Sequence, residues 1–351
     1  MKDEIARIWS SNANVQNAKV KPSAYLYVAK SGNDTTGDGS ANNPYLTVSK
    51  AITAATSGTT IYIFPGSYSE SLTLKAGVNL TSPARYSVYI IGNHTANFAG
   101  TIILDNIVLQ NASSAASGTV LDFSGTGVQN LQLDGSYINS ASLSGAGDAV
   151  SWSNTNTSSK ILLTDGNINV AHSNSTAKAV ACATNAAGTF MLNRCTVKID
   201  NPDNVAVALA GSVSYIHTSD GITGQVTLAN SASATIGMVT MTATTVPVLV
   251  TNSTGTTIVI NDPISTTATP AFTGTGVFLD VALLYLSTGV GGSSTLNGGA
   301  GPISLSMSSV KIRASSLVPS GQVATGTNSG ALEFDGTHLY FTIGTTRSII
   351  L

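Results

Sequence analysis

The sequence contains very little charge. Only 9% of its 351 residues are Asp, Glu, Lys or Arg, whereas an ordinary soluble domain has about 25%. Hydrophobic residues make up 42%, so Ser, Thr, Asn and Gly have replaced the missing charge. A chain with so few Lys and Glu lacks the residues that cover exposed helix faces, which excludes a helical bundle. Intrinsic disorder is excluded as well, because it requires low hydrophobicity and high net charge.

Other features are also missing. The formal net charge of -2 provides no basic surface, so we expect no nucleic-acid partner. No run of about 18 apolar residues occurs, so we expect no membrane insertion. The N-terminus lacks the apolar region of a secretory signal peptide. The two cysteines, Cys182 and Cys195, cannot form a disulfide framework, and two buried thiols are favoured over one disulfide.

Short β-branched runs recur through the middle of the chain at intervals of about 20–30 residues. One series begins at Leu131, Ile161, Phe190 and Val213, and a second begins at Val120, Val150, Val180 and Val205. Two strand series that share one period are typical of a solenoid. Their alternating pattern without an intervening helix indicates a β-solenoid. A large β-sandwich, whose strands follow one another every 8–12 residues or so, is the alternative.

Composition divides the chain into four segments. They are an N-terminal attachment helix and arm (1–22), an opening strand, loop and capping helix (23–57), a β-helix shaft (58–313), and a linker with a C-terminal β tip (314–351). In the first segment, the apolar face consists of Ile5, Ile8 and Trp9. The segment is too short to form a hydrophobic core by itself, so we expect this face to bind another protein. In the last, two alternating runs joined at Asp335-Gly336 predict a β-hairpin.

A long part of the shaft is almost uncharged. Between residues 201 and 309 there is no Lys or Arg, and the only acids are four Asp. The favoured interpretation is that identical copies shield this surface around a closed symmetry axis. A hydroxyl- and amide-rich surface that is soluble without a partner is the alternative.

Two segments resemble known proteins. Residues 27–52, YVAKSGNDTTGDGSANNPYLTVSKAI, resemble the N-terminal start of right-handed parallel β-helix proteins of the pectate-lyase-like superfamily. Residues 330–351, GALEFDGTHLYFTIGTTRSIIL, resemble the C-terminal end of tail fibres and related virion proteins of tailed bacteriophages. The first resemblance implies an all-β, right-handed parallel β-helix with a short N-terminal helix and a small C-terminal tip.

The second resemblance implies a function. It suggests a homotrimeric virion fibre or spike, made in the cytoplasm of the host bacterium and placed on the tail or capsid surface. Residues 1–22 would hold it to a baseplate, tail or capsid protein, and it would bind a glycan or protein receptor on the bacterial surface. A spike that depolymerises bacterial surface polysaccharide and a capsid-attached fibre or decoration protein are the alternatives.

Catalysis in such a spike would need paired carboxylates. Only three Glu occur, and none lies in the middle of the shaft. The Asp residues that could stack across coils are Asp122, Asp134, Asp148 and Asp165. Asp134-Gly135 and Asp165-Gly166 lie at the same place in successive repeats, where a turn favours residues that tolerate the left-handed region. We therefore predict no catalytic residue and no enzymatic activity.

No metal or cofactor is expected. The loop 33–39 has oxygen ligands around glycines but lacks the spacing of a calcium loop, so a network of Asx turns is favoured. The four His are scattered without metal-type partners and are interpreted as surface or packing residues. Trp152 is a candidate exposed aromatic residue of the shaft. In the tip, the candidates for receptor binding are Phe334, His338, Tyr340 and Phe341. A role for these four as the core of the tip is the favoured alternative.

Overall fold

The computed structural model describes residues 24–111, 118–141, 147–171, 177–201, 204–230 and 232–242, together with short strands between 248 and 349. Side chains are described as far as residue 234. The predicted attachment residues Ile5, Ile8 and Trp9 and the tip residue His338 lie outside the described residues. The chain divides into two compact units, Met1–Met307 and Ser308–Leu351. The division into four segments stays a prediction.

The first unit is built from three ladders of stacked strands, and every strand pair in them is parallel. The first ladder contains, in order, β1 (Ala24–Val28), β2 (Thr59–Ile63), β4 (Asn79–Thr81), β7 (Gly100–Asp105), β10 (Gln129–Asp134), β13 (Lys160–Thr164), β16 (Ala187–Asn193), β19 (Ser212–Thr223), β21 (Ser233–Thr242), β23 (Thr257–Ile260), β26 (Phe278–Asp280) and β29 (Ser304–Ser306). The second contains β3 (Gly66–Ser69), β5 (Val88–Ile91), β8 (Ile107–Gln110), β11 (Tyr137–Ser140), β14 (Asn167–Val170) and β17 (Thr196–Ile199), and it continues into the C-terminal parts of β19 and β21. Together these two ladders form one 18-stranded sheet.

The third ladder is a 7-stranded sheet. It contains β6 (His94–Ala96), β9 (Leu121–Phe123), β12 (Val150–Trp152), β15 (Val180–Cys182), β18 (Val205–Leu209), β20 (Gln225–Asn230) and β22 (Val248–Ser253). Two further parallel pairs join β24 (Ile264–Ser265) to β27 (Leu286–Ser287) and β25 (Ala271–Thr273) to β28 (Thr295–Asn297). The coils that run from β4 to β18 therefore each contribute one strand to each ladder, about 4.8 Å from the next coil. This confirms the predicted parallel β-helix.

The core lies inside the coils because the strands alternate. In β10 every second residue is buried, and Leu131 pairs with Ile161 in the next coil, so that like residues stack on one another. The aromatic core residues form a stack in which neighbouring ring centroids lie 4.7–6.1 Å apart. Its members are Phe123, Trp152, Phe190 and Tyr215.

Trp152 is fully buried, so the expectation that it is exposed is wrong. Its indole Nε1 donates hydrogen bonds to the backbone oxygens of Asn154 (3.2 Å) and Ala187 (3.1 Å). Because these carbonyls satisfy its polar atom, the side chain can lie inside the coil. His94 and His217 are buried as well, which confirms a packing role for these two. Both cysteines are free thiols.

Helix α1 (Val48–Ala54) packs against β1 and β2 at the start of the first ladder. Thr47 caps its N-terminus, and the Glu70 carboxylate accepts the backbone N–H groups of Val48 (2.9 Å) and Ser49 (2.8 Å). In the preceding loop, Asn33 Oδ1 accepts the N–H groups of residues 35 and 36, and Asp38 Oδ1 accepts that of residue 40. The predicted Asx turns are therefore confirmed. Of the described helices, none is long and apolar enough to cross a membrane.

The second unit contains an antiparallel sheet of three strands. They are β30 (Leu332–Phe334), β31 (Leu339–Ile343) and β32 (Thr346–Ile349). The pairing of Phe334 with Leu339 confirms the predicted hairpin, and in the same register Tyr340 pairs with Glu333 and Phe341 with Leu332. The role of the aromatic tip residues in receptor binding stays a prediction.

Candidate functional site

Four successive coils pass from the first ladder to the second through a single residue with positive φ. These residues stack in neighbouring coils and are Asn106 (φ 59°), Gly135 (φ 56°), Asp165 (φ 53°) and Arg194 (φ 51°). Each donates its backbone N–H to a carbonyl of the next coil at 2.8–3.1 Å. We call this row the turn column. Because its backbone is fixed on both sides, it holds the side chains at positions 106, 165 and 194 in a defined order along the rod.

Asp134 and Asp165 do not occupy the same place in their coils, so that prediction is wrong. The register pairs Asp134 with Asp105 in one neighbouring strand and with Thr164 in the other. The residue that matches Asp134 therefore lies one position before Asp165. Asp165 adopts the left-handed conformation expected of a turn residue. In the preceding coil, this conformation is adopted by Gly135 and not by Asp134.

Asp165 forms an ion pair with Arg194 of the next coil. Arg194 Nε and Nη2 donate to the two carboxylate oxygens, each at 2.6 Å, in a bidentate arrangement. These hydrogen bonds hold the pKa of Asp165 below its ordinary value and raise the pKa of Arg194. The Asp165 carboxyl is therefore ionised at neutral pH and can accept hydrogen bonds or protons, but it has no proton to donate.

Tyr86 lies on the loop between β4 and β5, next to the turn column. Tyr86 is 51% exposed, and its ring packs at a tilt against the ring of Tyr137, with 4.0 Å between the ring centroids. Its φ of 57° is unusual, because the left-handed region costs a bulky residue about 1–2 kcal/mol. Desolvation, followed by the hydrogen bond with Tyr137, raises the pKa of Tyr86 to about 12. The loop is held in place where Ser82 Oγ donates to Asn106 O at 2.9 Å.

Arg85 brings a second cation to the turn column. Its Nε lies 2.9 Å from the place that a Cβ atom would take at Gly135, so the Arg85 side chain lies directly against this turn. Arg85 also helps to lower the pKa of Asp165. We call the combined region the Tyr86 surface. Its residues are Arg85, Tyr86, Asp134, Tyr137, Asp165 and Arg194.

The chemistry of the Tyr86 surface suits a polyhydroxylated ligand. An exposed aromatic ring can pack on the apolar face of a sugar ring. Carboxylates and guanidinium groups beside it can accept and donate hydrogen bonds to hydroxyl groups. All of these groups are carried by hydrogen-bonded coils or anchored to them, so that they are positioned before a ligand arrives.

The other two acids of the predicted stack lie elsewhere. Asp122 is on β9 and pairs with Ser151 in the third ladder. Asp148 lies two residues before β12 of the same ladder, where burial raises its pKa and its carboxylate accepts the backbone N–H of Lys178 at 2.7 Å. The four Asp residues therefore do not form one row. Within the part of the chain that the structure describes, no group of three or more His, Cys, Asp or Glu could hold a metal.

Sequence reasoning considered Asp134 and Asp165 but missed their aromatic neighbours. Tyr86 and Tyr137 belong to different coils, and no motif connects them in the sequence. Only the register between the coils, together with the path of the loop that carries Tyr86, brings the two rings together.

No protein-family model matches this chain, and no curated protein matches it either. Two solved structures are similar to it. One is the pectin methylesterase from Aspergillus niger, with 13% identity, 82% of this chain and 86% of that chain covered, and a TM-score of 0.37. The other is Escherichia coli ybhc, with 11% identity, the same coverage of 82% and 86%, and a TM-score of 0.29.

The similarity to the first of these structures corrects one prediction made from the sequence. The sequence predicts a protein without enzymatic activity, and the similarity to an enzyme contradicts that prediction, which we withdraw. At 13% identity and a TM-score of 0.37, the similarity assigns no reaction and no substrate to this chain.

Proposed function

We propose that this chain is a fibre or spike protein of a tailed-bacteriophage virion that binds a bacterial surface glycan through the Tyr86 surface. The observation that carries the proposal is the exposed Tyr86 ring, which is held in the left-handed region beside an ionised Asp165–Arg194 pair. Unfavourable backbone conformations that the surrounding structure maintains tend to occur at ligand sites. A rigid rod of stacked coils is a suitable support for such a site.

The virion part of the proposal has separate support. The resemblance of residues 330–351 to the C-terminal end of phage tail fibres, in a chain whose residues 27–52 resemble the start of a parallel β-helix, supports an elongated appendage. We propose that it is a homotrimer on the tail or capsid surface, made in the host cytoplasm and held by Ile5, Ile8 and Trp9. Attachment to the capsid rather than to the tail would leave the glycan site unchanged.

Cleavage of the bound polysaccharide is the second candidate function. Asp134 ends β10, and Asp165 lies in the turn of the next coil, so two carboxylates are carried by neighbouring coils. Retaining glycosidases hold two carboxyl groups about 5 Å apart. The ionised Asp165 could act as a nucleophile or base there. Release of reducing ends that stops in Asp165→Asn would establish this activity.

The experiment measures binding to a panel of purified capsular and O-antigen polysaccharides. Tyr86→Asn removes the ring but keeps a residue that tolerates the left-handed region. We expect its affinity for a polysaccharide that binds the wild type to fall about tenfold, which corresponds to about 1.4 kcal/mol. The matched control is Val128→Asn, since Val128 is also exposed but lies at the opposite end of β10 from Asp134.

Two results would contradict the proposal. One is unchanged affinity in Tyr86→Asn together with loss of binding when residues 330–351 are deleted, which would place the receptor site in the tip. The other is failure of antibodies against the chain to label phage particles in electron micrographs, which would reject the virion assignment.

A further inference from the structure

A second group of aromatic side chains lies on the outside of the first two coils. Its rings contact one another, with centroid separations of 6.4 Å (Tyr25–Tyr27), 5.8 Å (Tyr27–Tyr62), 6.3 Å (Tyr27–Phe64) and 5.3 Å (Tyr62–Phe64). Tyr25 is 51% exposed and Phe64 is 37% exposed. We call these four residues the four-ring patch.

The strand register connects the four-ring patch to the Tyr86 surface. Tyr27 pairs with Tyr62, and the same outward row continues through Thr81 and Asp105 to Asp134. Three intervals between paired strands separate Tyr62 from Asp134, which is about 14 Å. Both regions therefore lie on one side of the rod, at a separation that several units of an extended sugar chain can span.

The row between the two regions is polar. The Thr81 hydroxyl donates to the Asp105 carboxylate at 3.1 Å, and in the neighbouring outward row Asn79 Oδ1 accepts the backbone N–H of Ile103 at 2.9 Å. Hydroxyl and carboxylate groups thus follow the aromatic rings along the row through Thr81, Asp105 and Asp134, while the neighbouring row includes the partly exposed Ile103. Such a surface can hydrogen-bond the hydroxyl edge of a sugar chain.

Exposed apolar side chains are rare in the described part of the molecule. The large ones are Tyr25, Leu46, Phe64, Tyr86 and Val128. All the aromatic members of this set belong to the four-ring patch or to the Tyr86 surface. Tyrosines have a polar edge as well as an apolar face, so three Tyr beside one Phe fit a hydroxylated ligand better than a purely apolar one.

We propose that the four-ring patch is a second sugar-stacking site and that a linear polysaccharide lies along the row from Tyr27 to Asp134, contacting both regions. This inference rests on the proposed function and extends it, because it identifies the ligand as a chain rather than a terminal sugar. Two weak sites on one rigid support bind one long ligand more tightly than either site does alone.

The experiment compares a long polymer with short fragments of the same polysaccharide. The double variant Tyr25→Ser/Phe64→Ser removes the two most exposed rings of the patch, and Leu46→Ser is the control for loss of an exposed apolar side chain. We expect the double variant to bind the polymer about tenfold more weakly. Its affinity for fragments too short to reach beyond the Tyr86 surface should equal that of the wild type.

The two proposals fail in distinguishable ways. Wild-type affinity for the polymer in the double variant, while Tyr86→Asn still binds weakly, overturns the inference and leaves the proposed function standing. Wild-type affinity in Tyr86→Asn overturns the proposed function. A third outcome is that the double variant keeps its affinity for the polymer but has a lower mass than the wild type in light scattering. The four-ring patch would then be a contact between copies of this chain, and the inference would be wrong.

Discussion

Protonation of His94 should destabilise the fold at mildly acidic pH. His94 begins β6 and is 1% exposed. Its Nδ1 accepts the backbone N–H of Leu72 at 3.2 Å, and its Nε2 donates to the carbonyl of Ile90 at 3.2 Å. Both ring nitrogens are thus used by a neutral imidazole. Burial lowers the pKa of His94 from 6.5 to about 4.

The size of the effect follows from the two pKa values. Below pH 6.5 the unfolded chain binds a proton at this residue, whereas the folded chain does not do so until about pH 4. The free energy of unfolding should therefore decrease as the pH falls from about 6.5 to about 4, and the loss from this residue should stop below that. A shift of this size corresponds to about 3 kcal/mol.

Guanidinium unfolding at pH 7.5 and pH 4.5, for the wild type and His94→Gln, measures this effect. Gln supplies one acceptor and one donor but does not titrate. Asp34 and Asp165 have lowered pKa values, so their contributions are lost only below pH 3.8, while the raised pKa of Asp148 acts in the opposite direction. These groups titrate in both proteins and cancel in the difference. A wild type that loses no more stability than His94→Gln would refute the reasoning.

Three further results are expected. Trp152→Ala should reduce the free energy of unfolding by about 3–5 kcal/mol in guanidinium titrations, since it leaves a cavity in the aromatic stack and removes two hydrogen bonds; a loss below 1 kcal/mol would show that the stack can collapse. Glu70→Ala should cost about 1–2 kcal/mol in the same titrations, and Glu70→Gln less, because Gln keeps one acceptor for the first turn of α1; equal losses would contradict this cap. Light scattering should give a mass near three times 35.6 kDa, and a monomer at micromolar concentration would contradict the trimer.

The fold could be predicted from the sequence because the same physical requirement recurs in every coil. Each strand must place apolar side chains inside, so the runs that begin at Leu131, Ile161 and Phe190 repeat at nearly constant intervals. The hairpin of the tip was predictable for a local reason, since Asp335-Gly336 favours the left-handed turn that joins two strands.

The site could not be predicted because it depends on register and on the path of one loop. A shift of one residue decides whether Asp134 or Gly135 takes the left-handed position, and spacing alone did not resolve it. Arg194 and Tyr86 both adopt positive φ, although neither residue type favours it. Trp152 was misplaced because its polar atom finds carbonyl partners from residues 154 and 187, which the sequence does not show.

The most direct test of a glycan-binding rod is a structure of the protein with a bound oligosaccharide, prepared from a polysaccharide that binds it. We expect a sugar ring packed on the exposed face of Tyr86, with hydroxyl groups within hydrogen-bonding distance of Asp165 or Arg194. The chain of sugars should continue towards Tyr62 and Phe64. Sugar density on the tip, with none on the Tyr86 surface, would contradict the account.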